Sequence, residues 1–132
     1  MLRKQLAGPS GAMIGNSQFQ LTLIPRAGLK VKLSHAGSRI VLADGDYSYS
    51  FGAPVFDRIS TGREGNDTIV VLEGLTQGRI HVRQEFRIPA DHPWIEERIT
   101  IVNQSSEVLA LPYGRCGFVL PLAVQGSATA GP

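Results

Sequence analysis

The sequence predicts an all-β fold, an antiparallel β-sandwich of about nine strands with little or no helix. Three observations carry that expectation. Apolar and polar residues alternate with period two through most of residues 18–122, the spacing that turns one face of a strand inward and the other to water. No segment repeats its apolar residues at convincing helical spacing. The connections are short and rich in Gly, Pro, Asp and Asn, which favours antiparallel neighbours.

Residues 1–17 are Gly-, Ser- and Ala-rich with Pro9 and read as a flexible leader. Residues 123–132, which include "QGSATAGP", read as a flexible tail or truncated linker. The sandwich occupies 18–122. "QFQLTLI" puts Phe19, Leu21 and Leu23 on one face, and "GLKVKLS" puts Leu29, Val31 and Leu33 on one face with Lys30 and Lys32 opposite. Pro25 to Gly28 supplies the turn between them. "SRIVLA" and "YSYSF" flank Asp44-Gly45, a two-residue hairpin signal. That turn sets Leu42 against Tyr47 and Ile40 against Tyr49. The ladder Tyr47, Tyr49, Phe51 then reads more readily as core than as an exposed stacking platform. "STGREGND", 60–67, reads as a mobile connection, and "DTIVVLEG", apolar on both faces, as a central strand. "RIHVRQEFRI" points Ile80, Val82, Phe86 and Ile88 inward and His81, Arg83, Glu85 and Arg87 outward. "WIEERITIV", "EVLALPY" and "CGFVLPL" complete the set.

Charge selects one register. If the strand carrying Arg87 runs antiparallel to the one carrying Glu96, placing Arg87 opposite Glu96 also places Glu85 opposite Arg98. A slide of two residues either way opposes like charges. Two structural ion pairs are therefore expected, Arg87 with Glu96 and Glu85 with Arg98, worth about 0–1 kcal/mol each when exposed.

Composition narrows the function. The chain has 132 residues, enough for one domain, and its 42% hydrophobic and 18% charged residues suit a globular core. A net charge of +2 without a strong cluster argues against nucleic acid, and no apolar run approaches a membrane span. The single cysteine, Cys116, excludes an internal disulfide. With no signal peptide visible, a cytoplasmic setting is expected.

Chemistry is sparse. Glycoside hydrolysis needs two carboxyl groups on one cavity. Glu96 and Glu97 are neighbours on a strand and point to opposite faces, while Glu85 and Glu96 both have arginine partners. No catalytic residue is assigned. His35, His81 and His92 lack ligand spacing, so no metal or cofactor is implied. Lys30, Lys32 and Arg39 form a small basic patch, better read as solvated surface than as a nucleic-acid contact. "DHPWIEE" is the best candidate for recognition: Trp94 and His92 flank Pro93, and an indole face suits the C–H face of a sugar. Closure of the end of the sandwich by Trp94 is the favoured alternative.

The run "RQEFRIPADHPWIEERITIVNQSSEVLAL" resembles the N-terminal β-domain of glycoside hydrolase family 36-type enzymes, the α-galactosidase (melibiase-like) group, a supersandwich similar to the galactose-mutarotase-like fold. The resemblance spans residues 16–122 and lies in strand pattern. It implies a non-catalytic domain whose partner is a catalytic barrel beyond Pro132, with carbohydrate and a homo-oligomer as further expected partners. Family domains of this kind are longer, which implies an incomplete domain with an exposed sheet edge. Two alternatives stay open: a free-standing carbohydrate-binding module using Trp94, His92 and Tyr49, and a structural or interaction sandwich without sugar specificity.

Overall fold

A computed structural model describes residues 3–6, 11–110 and 116–117. The described residues hold no helix. The strands are β1 (Arg3–Leu6), β2 (Ala12–Gly15), β3 (Phe19–Arg26), β4 (Gly28–His35), β5 (Val41–Asp46), β6 (Ser48–Tyr49), β7 (Val55–Glu64), β8 (Asp67–Thr76), β9 (Ile80–Ile88), β10 (Glu96–Asn103) and β11 (Cys116–Gly117). They form a five-stranded sheet ordered β1-β7-β8-β9-β10, a four-stranded sheet ordered β2-β3-β4-β5, and the short pair β11-β6. Every pairing is antiparallel. The fold is an all-β sandwich.

The core follows from coincident apolar faces. In the β3–β4 hairpin, Leu21 opposes Leu33 and Leu23 opposes Val31, so the buried side chains of both strands share one face. In the larger sheet, Val70, Leu72, Val82, Phe86 and Ile88 supply the facing layer, with Tyr47, Phe51 and Phe56 packed among them. β9 alternates buried and part-exposed residues along its whole length, as the period-two pattern requires. β8 lies between β7 and β9 and is apolar on both faces: Val70 and Leu72 are in the core, and Ile69 and Val71 are buried on the other side.

Several expectations fail, each for a local reason. Asp44-Gly45 is not a hairpin turn: both residues lie within β5, opposite Lys32 and Val31. The chain reverses earlier, at 36–40, where His35 N donates to Ile40 O (2.8 Å) and Arg39 N to His35 O (2.9 Å). β5 therefore already has β4 as its partner. The pairs Leu42–Tyr47 and Ile40–Tyr49 do not form, and Ile40 is exposed. The tyrosine ladder is nevertheless core, because Tyr47 N joins Leu29 O (2.8 Å) and the segment then crosses the buried layer.

The segment expected to be a mobile connection is strand as far as Glu64. Glu64 opposes Asp67, so Gly65-Asn66 is the two-residue turn, with Gly65 at φ 62°. Two strands also lie within the expected leader. β1 pairs with β7, and β2 pairs with β3 and places Ile14 in the core. Its alternation is too short, between Gly11 and Gly15, to stand out in sequence. Residues 107–110 of the expected strand "EVLALPY" are irregular: Asn103 Nδ2 donates to Glu107 O (2.7 Å) and closes a turn there. The rest of that segment, "CGFVLPL" beyond Gly117, and residues 123–132 lie outside the described residues.

Candidate functional site

The outer face of β8, β9 and β10 carries the charged residues. The register is the one the charges select: Glu96 opposes Arg87 and Arg98 opposes Glu85. Arg87 is the hub. Its Nη1 lies 3.0 Å from Asp67 Oδ2, and its Nη2 lies 3.0 Å from Glu64 Oε1 and 3.6 Å from Glu85 Oε2. Its Nε is 3.9 Å from Glu96 Oε2. Glu64 and Asp67 are brought there by the Gly65-Asn66 turn. The hydrogen bonds to Glu64, then to Asp67, push the Arg87 pKa above its ordinary value, so the guanidinium is always charged.

Only one of the two expected ion pairs is present among the described residues, Arg87 with Glu96. Glu85 bonds instead along its own strand, to Arg83 (3.2 Å) as well as Arg87. Residues two apart share a face, and arginine is long enough to bridge them. Arg98 therefore lines the cleft without an ion pair among the described residues.

These residues bound a cleft of about 550 Å3 lined by Asp67, Glu85, Arg87, Glu96, Glu97 and Arg98. Acid–base hydrolysis needs two carboxyls in contrasting environments, one protonated and one ionised. Here four carboxylates, Glu64, Asp67, Glu85 and Glu96, are anchored on the Arg87 guanidinium. This arrangement suits a structural network better than a catalytic pair.

Glu97 is the exception: the sequence places it on the opposite face from Glu96 but does not show its tyrosine partner. It opposes Phe86 on the inward face of β10, between the partly buried Ile95 and Ile99, and accepts a hydrogen bond from Tyr47 Oη. The residue is exposed overall, but partial burial of its carboxyl raises its pKa, and the Tyr47 bond offsets part of that rise. A raised folded-state value means the fold prefers the neutral acid. Stability is therefore lost as pH rises through the interval between the unfolded carboxyl value and the folded one. Glu97→Gln is expected to raise the denaturant midpoint at pH 7 and to give no advantage at acidic pH. Equal midpoints at both pH values would contradict this. The signal was a carboxylate within an otherwise apolar alternation, Ile95-Glu97-Ile99-Ile101.

The expected sugar-contact residues separate into two places. Tyr49 lies in the aromatic core, 4.8 Å from the Tyr47 ring and 5.7 Å from Phe51, and its hydroxyl donates to Gln84 Oε1. Gln84 is fully buried, and its Nε2 has no hydrogen-bond partner among the described residues. Tyr49 is thus structural. His92 and Trp94, by contrast, stack on each other with ring centroids 4.3 Å apart and planes 11° from parallel. Trp94 is 49% exposed.

Asn16 fixes this loop. Its Oδ1 accepts from Gln18 N (2.7 Å) and Phe19 N (2.8 Å), building the β2–β3 turn. Its Nδ2 donates to Pro89 O (2.7 Å) and His92 O (3.0 Å), tying that turn to the loop before β10. Asp91, at φ 62°, completes the bend and accepts from Ser17 Oγ at 3.4 Å. Asn16→Ala removes all four side-chain bonds. It is expected to cost about 2 kcal/mol and to loosen the His92–Trp94 stack, read as a lowered melting temperature and altered Trp94 fluorescence. Asn16 does not stand out in the sequence because its Pro89 and His92 partners lie more than 70 residues away.

Among the described residues, no group of three or more His, Cys, Asp or Glu is placed to hold a metal ion. No helix among them is long and apolar enough to cross a membrane. The architecture and site define an antiparallel β-sandwich with a charge-networked cleft and an exposed aromatic pair. Comparison with protein-family models, with curated proteins and with solved structures found no match.

Proposed function

We propose that the chain is a non-catalytic β-sandwich domain of a carbohydrate-active glycoside hydrolase, one that supports a catalytic barrel supplied by another part of the protein. The observation that carries this reading is the cleft itself. Glu64, Asp67, Glu85 and Glu96 are gathered on Arg87, and Glu97, whose pKa is raised, is engaged by Tyr47. The strand pattern around "HPWIEERITIVN" adds the family expectation, and a cytoplasmic setting and a homo-oligomer belong to the same proposal. Mixing the purified chain with a separately expressed α-galactosidase-type barrel tests it. Specific association supports the reading, and none at micromolar concentrations counts against it.

A free-standing carbohydrate-binding module is the second reading, favoured by the exposed His92–Trp94 stack. One indole face is covered by the imidazole, and a stacked pair offers a broader apolar surface than either ring alone. Titration with galactosides and oligosaccharides separates the two. Saturable binding lost in Trp94→Ala, with the fold intact, favours the module.

A further inference from the structure

The outer face of the four-stranded sheet holds a second concave surface, about 540 Å3, lined by residues of β2 to β5 and the reversal between β4 and β5. We propose that it binds an anionic, hydroxyl-rich ligand: a sugar unit carrying a carboxylate or a sulfate ester, with Lys32 and Arg39 taking the charge. The inference goes beyond the proposed function and does not depend on it.

Register brings the groups together. Lys32 opposes Thr22 on one side and Asp44 on the other, with Ser34 two residues along on the same face. Lys32, His35 and Arg39 all line the depression, and no acidic residue does. Asp44 faces Lys32 across the ladder, yet neither Lys32 nor Arg39 has an ion pair within 4.0 Å among the described residues. This contrasts with the opposite face of the molecule, where arginines and carboxylates are interlocked.

The reversal that presents Arg39 is built with strain. Arg39 sits at φ 61°, a left-handed conformation that costs an ordinary side chain about 1 kcal/mol. Glycine would adopt it without penalty. His35 locks the same turn: Ser38 N donates to its Nδ1 at 3.1 Å, which leaves Nε2 to carry the ring proton. Neutral His35 is therefore a donor from Nε2. Thr22 and Ser34 add hydroxyls, Gln20 an amide, and the exposed Met13 and Val41 an apolar border for C–H groups. Cations, neutral hydrogen-bonding groups and a small apolar rim together match an acidic sugar better than a bare inorganic ion.

The test is calorimetric titration of the whole 132-residue chain with a uronate disaccharide, a sulfated disaccharide, the uncharged disaccharide and inorganic sulfate. Saturable binding of at least one acidic sugar is expected, about tenfold or more tighter than the uncharged sugar or sulfate, and weakening with added salt. Preference between the first two ligands identifies the acid group. Arg39→Gly and Lys32→Ala are each expected to weaken binding about tenfold, and Asp44→Asn to strengthen it. Arg39→Gly relieves the turn, so it keeps the fold. The inference is overturned if no acidic sugar binds at millimolar concentration, if the uncharged sugar or sulfate binds equally well, or if Arg39→Gly leaves affinity unchanged. Binding lost in Trp94→Ala but retained in Arg39→Gly also overturns it, while leaving the His92–Trp94 reading intact.

Discussion

Gly74→Ala is expected to destabilise the protein by about 3 kcal/mol or more, the largest effect of any single methyl group added here. Gly74 lies in β8 opposite Phe56, next to the point where Asp57 interrupts the register of β7. A Cβ at this position would sit 2.1 Å from Val55 O and 2.7 Å from Phe56 Cα, both backbone atoms. The clash cannot be relieved by a rotamer change, so the β7–β8 pairing must open locally. Gly37→Ala is the control: its Cβ would meet only the His35 ring, at 3.4 Å or more, and a change within about 0.5 kcal/mol is expected. Chemical denaturation of both variants checks the pair. A Gly74→Ala protein as stable as the parent would show that the bulge is not as close as described.

Arg87→Met is expected to cost about 2 kcal/mol at pH 7 and low salt. The methionine keeps much of the apolar stem but leaves Glu64, Asp67, Glu85 and Glu96 facing one another without their shared cation. Truncating one member of a buried ionic cluster costs about 3–5 kcal/mol. The value here is reduced because Glu64 and Glu96 are 70% and 62% exposed. The sign with pH is fixed by repulsion. The variant binds protons more readily when folded than when unfolded, so its deficit is greatest above the carboxylate range and shrinks as pH falls towards about 4. Salt at about 1 M should shrink it as well. A deficit equal at pH 4 and pH 7, and unchanged by salt, would mean that only the packing of the arginine stem matters.

Sequence and structure agree where the information is local and periodic. The β9 alternation, the β3–β4 hairpin and the register of β9 on β10 were readable because side-chain period and charge leave few choices. The hairpin turn was harder. Asp44-Gly45 and Gly65-Asn66 are both plausible two-residue turns, and only the second connects paired strands. Choosing between them requires knowing that 36–40 already reverses the chain, which depends on His35, Ser38 and a left-handed Arg39 that no turn rule favours. The site was legible in part. Trp94 and His92 stood out by residue type, but their mutual stacking and the Asn16 latch depend on contacts distant in sequence. Glu85 going to Arg83 and not Arg98 reflects side-chain reach, which register alone does not fix.

Whether the carboxylates of the β8–β10 cleft serve structure or chemistry is the central point. The direct measurement is release of nitrophenol from a nitrophenyl α-galactoside and related glycosides by the purified chain alone. No turnover above the buffer rate is expected, with Glu96→Gln and Glu97→Gln indistinguishable from the parent. Turnover by the parent chain that disappears in either variant, while both remain folded, would contradict it.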